Sequence, residues 1–364
     1  LGSAKVYYKL REELAALGHD CDLLMAAEIG ERPANWRARQ TISPWLADRA
    51  IRRAFRERGP YDVVDVASAE GMAFAARRRA GFARAPVIIS RSHGLEHLNY
   101  RRTLDDAADG LLRKPWTRRI WYPGVRLPQV AAAARLADAM IVLNPGDQAF
   151  AVDAGWKPTD QVHVVPHGVS ARFLADAPAP DAARGGGVLF CGSWDAVKGA
   201  PYLSRAISLM ADTGEAPRLT ILGPGLPEDA VLASFDAAAR PFVHVVPRAP
   251  EEEVMRHYRE HDVLVACSTY EGFGMVIVEA MSQRLPVVAT PVGCAPMLIR
   301  DGDNGVIAPP RDPAALTAAL RRVMADADWR RAMGDRAAET VRPLTWRATA
   351  ERTLEVYRQA GAAG

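Results

Sequence analysis

Short apolar runs rich in β-branched residues alternate with amphipathic helical stretches along most of the sequence. This alternation is typical of parallel α/β sheets. The strand candidates of the first half are Cys21–Met25, Val63–Val66, Val87–Ser90, Met140–Leu143 and Val162–Val165. Those of the second half are Val188–Cys191, Leu219–Leu222, Val243–Val246, Val263–Cys267, Val287–Ala289 and Gly305–Ala308. The pattern predicts an α/β protein with two doubly wound sheets rather than one.

The length and composition support two globular domains. A chain of 364 residues exceeds what one ordinary hydrophobic core serves. With 49% hydrophobic and 24% charged residues, the composition excludes disordered, collagen-like and disulfide-scaffold proteins. No stretch has the roughly 20 uninterrupted apolar residues of a membrane span, and no signal-peptide pattern is present. The four scattered cysteines form no metal-type pair and no disulfide framework, so we expect a reducing, cytoplasmic location.

A run rich in alanine, proline and glycine indicates the domain boundary. Residues 175–187 read ADAPAPDAARGGG, which builds no periodic element and is typical of a linker. We expect a first domain at 1–172, a linker at 173–187, a second domain at 188–343 and a C-terminal helix at 344–364. The first domain begins directly with a helix rather than with a buried strand and a glycine-rich turn. We therefore expect its first strand to be missing from this sequence.

The most informative window for function covers residues 262–291, DVLVACSTYEGFGMVIVEAMSQRLPVVATP. A buried strand ends at Cys267, a glycine-containing turn follows, and a helix begins at Met275. Free backbone N–H groups and the positive end of the helix then lie at the carboxyl edge of the sheet, where open α/β sheets bind ligands. Glu271 lies in the loop and Glu279 about one turn inside the helix, so the window predicts a site for phosphate or sugar oxygens.

This window resembles the E-x7-E region of the retaining glycosyltransferases of glycosyltransferase family 4. The resemblance implies the GT-B fold, in which two Rossmann-like doubly wound domains face each other across a cleft. It implies that Glu271 contacts the donor sugar hydroxyls and that Glu279 contacts the ribose of the nucleotide. It places the loop backbone against the sugar and phosphates, at Gly272, Phe273, Gly274 and Met275. Spacing alone also fits a structural interpretation, in which Glu271 caps the helix and Glu279 is a solvated surface residue.

A second match is the turn at residues 190–199, FCGSWDAVKG, after the first strand of the second domain. The resemblance gives Lys198 the role of neutralising the leaving diphosphate, and a lysine is a mobile point charge suited to phosphate. Lys198 is one of five lysines, against 41 arginines; the alternative is a solvated lysine at a helix start. Many relatives have arginine where this chain has Ser193, so leaving-group stabilisation depends on Lys198, on helix N-termini or on another arginine such as Arg248.

A third match covers residues 90–97, SRSHGLEH, directly after a strand. The resemblance places His93 near the donor sugar. The spacing H-x-x-E-H also fits an inverted zinc-protease signature, which needs His93, Glu96 and His97 on one helix. Gly94 directly after a strand end indicates a turn instead. A surface-loop histidine is a further alternative for His93.

Smaller matches extend the resemblance over nearly the whole chain. Gly2 stands at the end of the family's glycine-rich loop, which approaches the diphosphate, although a terminal Gly-Ser pair is also a familiar expression scar. His167 lies in VVPHGV, which looks like the family's exit from the first domain, where asparagine is frequent. The last helix, with Trp346 and Tyr357, resembles the C-terminal helix that braces the first domain.

The resemblance implies retaining transfer of a hexose-type sugar from a nucleotide-diphosphate sugar to an unidentified acceptor. In such a transfer the anomeric C–O bond breaks through an oxocarbenium-like state, and negative charge grows on the departing diphosphate. We expect neither a metal nor a cofactor besides the donor substrate. Another GT-B enzyme, such as a sugar-nucleotide epimerase or a glycoside phosphorylase, and a non-catalytic sugar-nucleotide binder remain alternatives.

Positive charge is concentrated in the first half of the chain. Residues 1–170 carry 25 Lys and Arg against 19 Asp and Glu, whereas residues 171–364 carry 21 against 24. Segment 111–128, LLRKPWTRRIWYPGVRLP, interleaves basic and aromatic residues, which suits an anionic membrane surface or an anionic acceptor. The same composition fits nucleic-acid binding, or a helix with a buried aromatic face and solvated arginines. We expect peripheral contact with the inner face of an anionic membrane and no nucleic-acid partner.

Overall fold

The computed structural model describes residues 2–30, 34–78, 84–111, 116–179 and 182–362, with the backbone alone at 2–4, 26–27 and 116–118. Residues 112–115 of the segment 111–128, and residues 180–181 of the predicted linker, lie outside the described residues. The strands are β1 (Val63–Ala67), β2 (Val87–Arg91), β3 (Ala139–Val142), β4 (Val162–Val164), β5 (Val188–Cys191), β6 (Leu219–Leu222), β7 (Val243–Val246), β8 (Val263–Ala266), β9 (Val287–Ala289) and β10 (Val306–Ile307).

Seventeen α-helices accompany these strands in the described residues. They are α1 (Gly2–Ala16), α2 (Ala26–Ile29), α3 (Trp36–Arg58), α4 (Met72–Ala76), α5 (Glu96–Ala108), α6 (Trp116–Trp121), α7 (Leu127–Leu136), α8 (Pro145–Asp153), α9 (Ala171–Ala175), α10 (Ala200–Ala211), α11 (Glu228–Leu232), α12 (Glu251–Glu260), α13 (Met275–Ser282), α14 (Ala295–Leu298), α15 (Pro313–Ala325), α16 (Ala327–Val341) and α17 (Trp346–Ala362). Several ends follow from local sequence: Asn35 accepts from two N–H groups at the start of α3, and Asp312 caps α15 ahead of Pro313.

The chain divides into two compact units. Unit 1 comprises residues 1–100, 113–168 and 346–364, and unit 2 comprises residues 101–112 and 169–345. Each unit contains one parallel sheet, which confirms the α/β class and the two sheets predicted from the sequence. Helix α5 begins in unit 1, and its C-terminal half is counted with unit 2.

The sheet of unit 1 has the order β1-β2-β3-β4, with every neighbouring pair parallel. Helix α17 packs on this sheet, because Val356 and Ala360 join a buried cluster with Ile89 and Ile141. The C-terminal helix is therefore part of unit 1 although it follows the whole of unit 2 in sequence.

The predicted strand at Cys21–Met25 is wrong, because these residues form no strand and pair with no neighbour in the sheet. A cavity of about 210 Å³ is lined by Leu23 and Leu24 of this segment and by Val64 and Val66 of β1. The apolar side chains thus face the same space as the edge of the sheet without forming ladder hydrogen bonds. Their hydrophobic pattern has a packing explanation that needs no strand.

The sheet of unit 2 has the order β10-β9-β8-β5-β6-β7 and is parallel throughout. Its core is built from residues such as Phe190, Leu203, Val263 and Leu320, all of which are buried. The first strand, β5, lies between β6 and β8, so the order of connections reverses between β5 and β8. In open α/β sheets this reversal opens a crevice at the carboxyl ends of the two strands.

The segment predicted as a linker is attached to unit 2. Arg184 donates to the carbonyl oxygens of Tyr258 and Gln283, each at 2.7 Å. The N–H groups of Gly185 and Gly186 donate to the Glu260 carbonyl at 3.2 and 3.0 Å. The composition suggested flexibility, but the half-buried Arg184 guanidinium, with several backbone acceptors, fixes this part of the chain.

Candidate functional site

Two loops of unit 2 meet at the carboxyl ends of β5 and β8. Lys198, in the loop after β5, donates from Nζ to Glu271 Oε1 at 2.5 Å. Ser268, in the loop after β8, donates to the same carboxylate oxygen at 2.8 Å. The side chains of Lys198 and Glu271 are 33% and 14% exposed, so the ion pair lies at a partly open surface. The structure thus brings together the cation and the loop carboxylate that the sequence singled out.

The two loops are joined tightly by backbone contacts. The Thr269 N–H donates to the Val197 carbonyl at 2.8 Å, and the Cys267 thiol lies 3.5 Å from the Lys198 carbonyl oxygen. Gly199 has a φ of +81°, and a Cβ there would overlap the carbonyl oxygen of Cys267. Glycine directly after Lys198 therefore allows the lysine loop to lie against the end of β8.

The turn after β5 is shaped by Asp195, which accepts from Ser193 Oγ at 2.7 Å and from the Lys198 N–H at 3.0 Å. Ser193 is exposed and stabilises the turn that carries the lysine. Arg248 is exposed in the loop after β7, and the structure records no contact between it and this pair. Arg102, a buried guanidinium from the part of α5 counted with unit 2, interacts electrostatically with Asp195. It is a cation near this turn that the sequence analysis missed.

The loop from Glu271 to α13 presents a helix N-terminus without a side-chain cap. Gly274 occupies the N-cap position with a φ of +96°, and a glycine has no side chain to accept from the first N–H groups. The N-cap residue is thus Gly274 rather than Glu271, whose carboxylate accepts from Lys198 and Ser268 instead. A backbone hydrogen bond also holds the loop, because the Cys294 N–H donates to the Phe273 carbonyl at 2.6 Å. Gly272 and Met275 are half-buried beside it.

Glu279 is half-buried on α13 rather than on a solvated face. Its Oε2 accepts from the Tyr258 hydroxyl at 3.3 Å. Burial raises the pKa of the neighbouring Cys191 thiol to about 11, and the charge of Glu279 adds to this shift. The charge of Lys198 also acts on this thiol. The charges of Lys198 and Glu279 therefore both act on Cys191, at the end of β5.

In unit 1, His93 lies two residues beyond β2 among aromatic rings. Its ring centroid is 5.1 Å from that of Tyr7 and 6.0 Å from that of His167, which in turn is 5.6 Å from that of Trp346. Burial lowers the pKa of His93 to about 4 and that of His167 to about 3. Both imidazoles are therefore neutral at pH 7 and contribute hydrogen-bonding groups rather than charge. Gly2 is the first residue of α1.

The zinc-site interpretation of residues 93–97 does not match the geometry. Helix α5 begins at Glu96, so His93 is not on it. The Glu96 carboxylate accepts from Tyr122 at 2.6 Å and from Arg126 at 2.9 Å. His97 packs its ring 4.7 Å from that of Trp156. Among the described residues, no group of three His, Cys, Asp or Glu side chains is arranged to hold a metal ion.

The described part of segment 111–128 separates its basic residues into two classes. Arg126 is buried and pairs with Glu70 and Glu96, which is a structural role. Arg119 and Ile120 are exposed, with Ile120 at 66%. The part of the chain that the structure describes contains no helix long and apolar enough to cross a membrane.

Sequence reasoning missed Ser268 and Tyr258, which contact the two glutamates. Ser268 lies three residues before Glu271, a spacing at which a hydroxyl reaches a loop carboxylate. Tyr258 gave no signal, because a tyrosine on the apolar face of a helix resembles any other core residue.

Two family models match the chain, and together they cover most of it. The model described as Glycosyltransferase Family 4 matches residues 2–173, and that described as Glycosyl transferases group 1 matches residues 185–326. A D-inositol 3-phosphate glycosyltransferase of Kineococcus radiotolerans is 32% identical over 62% of this chain, and the match spans 58% of that relative's length. An MMP alpha-(1->4)-mannosyltransferase of Mycolicibacterium hassiacum is 26% identical over 93% of this chain and 80% of the relative.

The fold has clear counterparts among solved structures. Sucrose-phosphate synthase from Thermosynechococcus elongatus superposes with a TM-score of 0.76 and 24% identity, covering 98% of this chain and 92% of that one. At this identity the likeness shows the fold alone, which is GT-B. The two family matches show that the chain belongs to the glycosyltransferases of family 4, and the structural likeness shows its GT-B fold.

Proposed function

We propose that this chain transfers a hexose-type sugar from a nucleotide-diphosphate sugar to an acceptor hydroxyl, with retention of anomeric configuration and without a metal. The observation that carries the proposal is the Lys198–Glu271 pair at the strand-order reversal of unit 2. A cation, a carboxylate and a helix N-terminus with glycine at its N-cap, all at one sheet edge, match what a sugar diphosphate requires.

The charge of each residue determines its role in the proposed reaction. When the anomeric C–O bond breaks, negative charge grows on the departing diphosphate, and the Lys198 ammonium group stabilises it. The N–H groups at the start of α13, beginning at Met275, add donors on the same side. The Glu271 carboxylate accepts hydrogen bonds from hydroxyl groups of the donor sugar, and the Glu279 carboxylate accepts them from those of the ribose.

The Lys198–Glu271 ion pair occupies the groups to which the nucleotide sugar would bind. Lys198 and Ser268 both donate to Oε1 of Glu271. When the nucleotide sugar binds, its diphosphate competes with Glu271 for the ammonium group of Lys198. The sugar hydroxyls then replace the ammonium group as hydrogen-bond donors to the carboxylate. The pair therefore keeps both side chains oriented towards the ligand before it binds, which lowers the cost of ordering them.

An anionic acceptor fits the charge of the first half of the chain. Residues 1–170 carry an excess of basic side chains. The name of the Kineococcus relative includes an inositol phosphate, which is a phosphorylated polyol. Long-range attraction by a basic surface raises the encounter rate with such a molecule. We propose a hydroxyl-bearing acceptor with a phosphate or another negative charge.

The test is a donor panel of uridine, guanosine and adenosine diphosphate hexoses, assayed for release of the nucleoside diphosphate with mixed polyol phosphates as acceptors. We expect release with one base, in EDTA as well as in Mg²⁺, and an unchanged anomeric configuration of the product by NMR coupling. Glu271→Gln should reduce release at least a hundredfold. Glu12→Gln is a matched control, because Glu12 accepts from Lys9 at 2.9 Å on α1.

Other outcomes separate the alternatives. Phosphate-dependent release of a sugar phosphate would identify a phosphorylase, and interconversion of the donor would identify an epimerase. Tight donor binding without turnover would identify a binder. Activity of Glu271→Gln close to that of the unchanged chain would contradict the role of this carboxylate in holding the donor sugar.

We propose further that unit 1 contacts an anionic membrane through a surface formed by the start of α3 and the end of α6. Trp36 and Trp121 bring these elements together, with ring centroids 5.2 Å apart. Trp36 is 38% and Ile120 66% exposed, and Arg119 is exposed beside them. Aromatic and aliphatic side chains next to an arginine suit the interface and headgroup region of an anionic bilayer.

Vesicle sedimentation tests this surface. We expect binding to vesicles containing phosphatidylglycerol at low salt, weakening as salt rises, and little binding to phosphatidylcholine alone. Ile120→Ser combined with Trp36→Ser should abolish it. Phe242→Ser in unit 2 is the matched control, since Phe242 is also 38% exposed. Equal binding by the double variant would refute the assignment.

A further inference from the structure

Tyr258 connects two helices of unit 2 through its hydroxyl group. It lies on α12, is completely buried, and donates to Glu279 Oε2 on α13 at 3.3 Å. Burial raises the pKa of Tyr258 well above its usual value, and the charges of Cys191 and Glu279 act in the same direction. The phenol therefore stays protonated at neutral pH and donates to the carboxylate.

The position of this phenol is itself fixed from several sides. Its ring centroid lies 6.1 Å from that of Phe173, and its backbone carbonyl accepts from Arg184 at 2.7 Å. Cys191, at the end of β5, interacts electrostatically with the tyrosine. A side chain held in this way has little rotational freedom left to lose, so it is well suited to orient a neighbouring group.

We propose that Tyr258 is a positioning residue that fixes the Glu279 carboxylate for the ribose hydroxyls of the nucleotide. The inference rests on the proposed function, in which Glu279 contacts the ribose. A carboxylate accepts through about four lone-pair directions, so a bond to Tyr258 orients the group and leaves capacity for a sugar hydroxyl. Without the phenol, the Glu279 carboxylate loses one of the contacts that orient it, and part of the binding free energy would be spent on ordering it.

The test measures nucleoside diphosphate affinity by isothermal titration calorimetry, using whichever of the uridine, guanosine and adenosine diphosphates binds the unchanged protein best. Tyr258→Phe removes only the hydroxyl group, and we expect its dissociation constant to rise about fivefold, the size of one net hydrogen bond. Tyr357→Phe is the matched control, because Tyr357 donates to Asp65 in unit 1 at 2.7 Å. We expect the control to bind the nucleotide as the unchanged protein does.

The 2′,3′-dideoxy analogue distinguishes positioning from a general effect on folding. This analogue lacks the hydroxyl groups that would donate to Glu279, so Tyr258→Phe should weaken its binding less than twofold. The ratio of the two affinities is measured on one preparation, so it does not depend on the folded fraction. Equal weakening for both nucleotides, or unchanged binding of the ribonucleotide, would overturn the proposal.

Glu279→Ala separates this inference from the function on which it rests. If this variant binds the ribonucleotide as tightly as the unchanged protein, the ribose role of Glu279 fails and the positioning role fails with it. If Glu279→Ala loses the discrimination between ribose and dideoxyribose and Tyr258→Phe keeps it, the function stands and Tyr258 has only a structural role.

Discussion

Replacing Lys198 by methionine separates its effect on turnover from its effect on stability. The ammonium group is 33% exposed and pairs with one carboxylate at 2.5 Å. Ion pairs this close to solvent contribute about 0–1 kcal/mol, and Glu271 keeps its bond from Ser268 in the variant. We expect a loss of about 1 kcal/mol, which lowers the melting temperature by about 2–4 °C for a unit of this size.

The effect on the reaction should be much larger. Loss of one oriented donor from a site of developing charge reduces turnover about 100- to 1,000-fold. The assay is release of nucleoside diphosphate under single-turnover conditions, with melting followed by calorimetry. Lys9→Met is the control, since Lys9 is 36% exposed and pairs with Glu12 at 2.9 Å. A Lys198→Met variant within threefold of full turnover, or one that loses activity only because it unfolds, would refute the reasoning.

Three other substitutions test separate parts of the account. Gly199→Ala should lower the free energy of unfolding by about 1–3 kcal/mol and reduce turnover at least tenfold, because its Cβ would overlap the Cys267 carbonyl oxygen. Gly225→Ala is the control: Gly225 has a φ of +72° but lies in open space, so this variant should keep full turnover in the same assay. Ser268→Ala removes one donor from Glu271 and should lower kcat about fivefold with little change in melting temperature. His167 has a folded pKa of about 3 against about 6.5 unfolded, so protonation favours unfolding as the pH falls below 6.5. Between pH 7 and pH 5 the unchanged protein should therefore lose about 2 kcal/mol relative to His167→Asn in urea unfolding, and parallel curves would contradict this.

The architecture was largely predictable because strand runs in parallel sheets are buried on both faces. Runs such as Met140–Leu143 and Val263–Cys267 carry this signal within the sequence itself. The segment Cys21–Met25 carries the same signal and is not a strand, since apolar side chains facing a cavity leave the same pattern as those in a sheet. The composition of residues 173–187 is that of a linker, and it does not show that Arg184 attaches this segment to unit 2, because those contacts are distant in sequence.

The candidate site was predictable where motifs are local and not where contacts are distant. The spacing of Glu271 and Glu279, and the lysine–glycine turn at Lys198, are visible within a few residues. The meeting of Lys198 with Glu271 joins positions 73 apart, and Tyr258 reaches Glu279 across 21. Such pairs depend on the strand order of the sheet, which the sequence pattern does not specify.

The decisive experiment is a crystal structure of the protein with its preferred nucleoside diphosphate. The account predicts a phosphate oxygen within about 3 Å of Lys198 Nζ and the ribose hydroxyls within hydrogen-bonding distance of the Glu279 carboxylate. A nucleotide bound away from both side chains, with the ion pair between Lys198 and Glu271 intact, would contradict it.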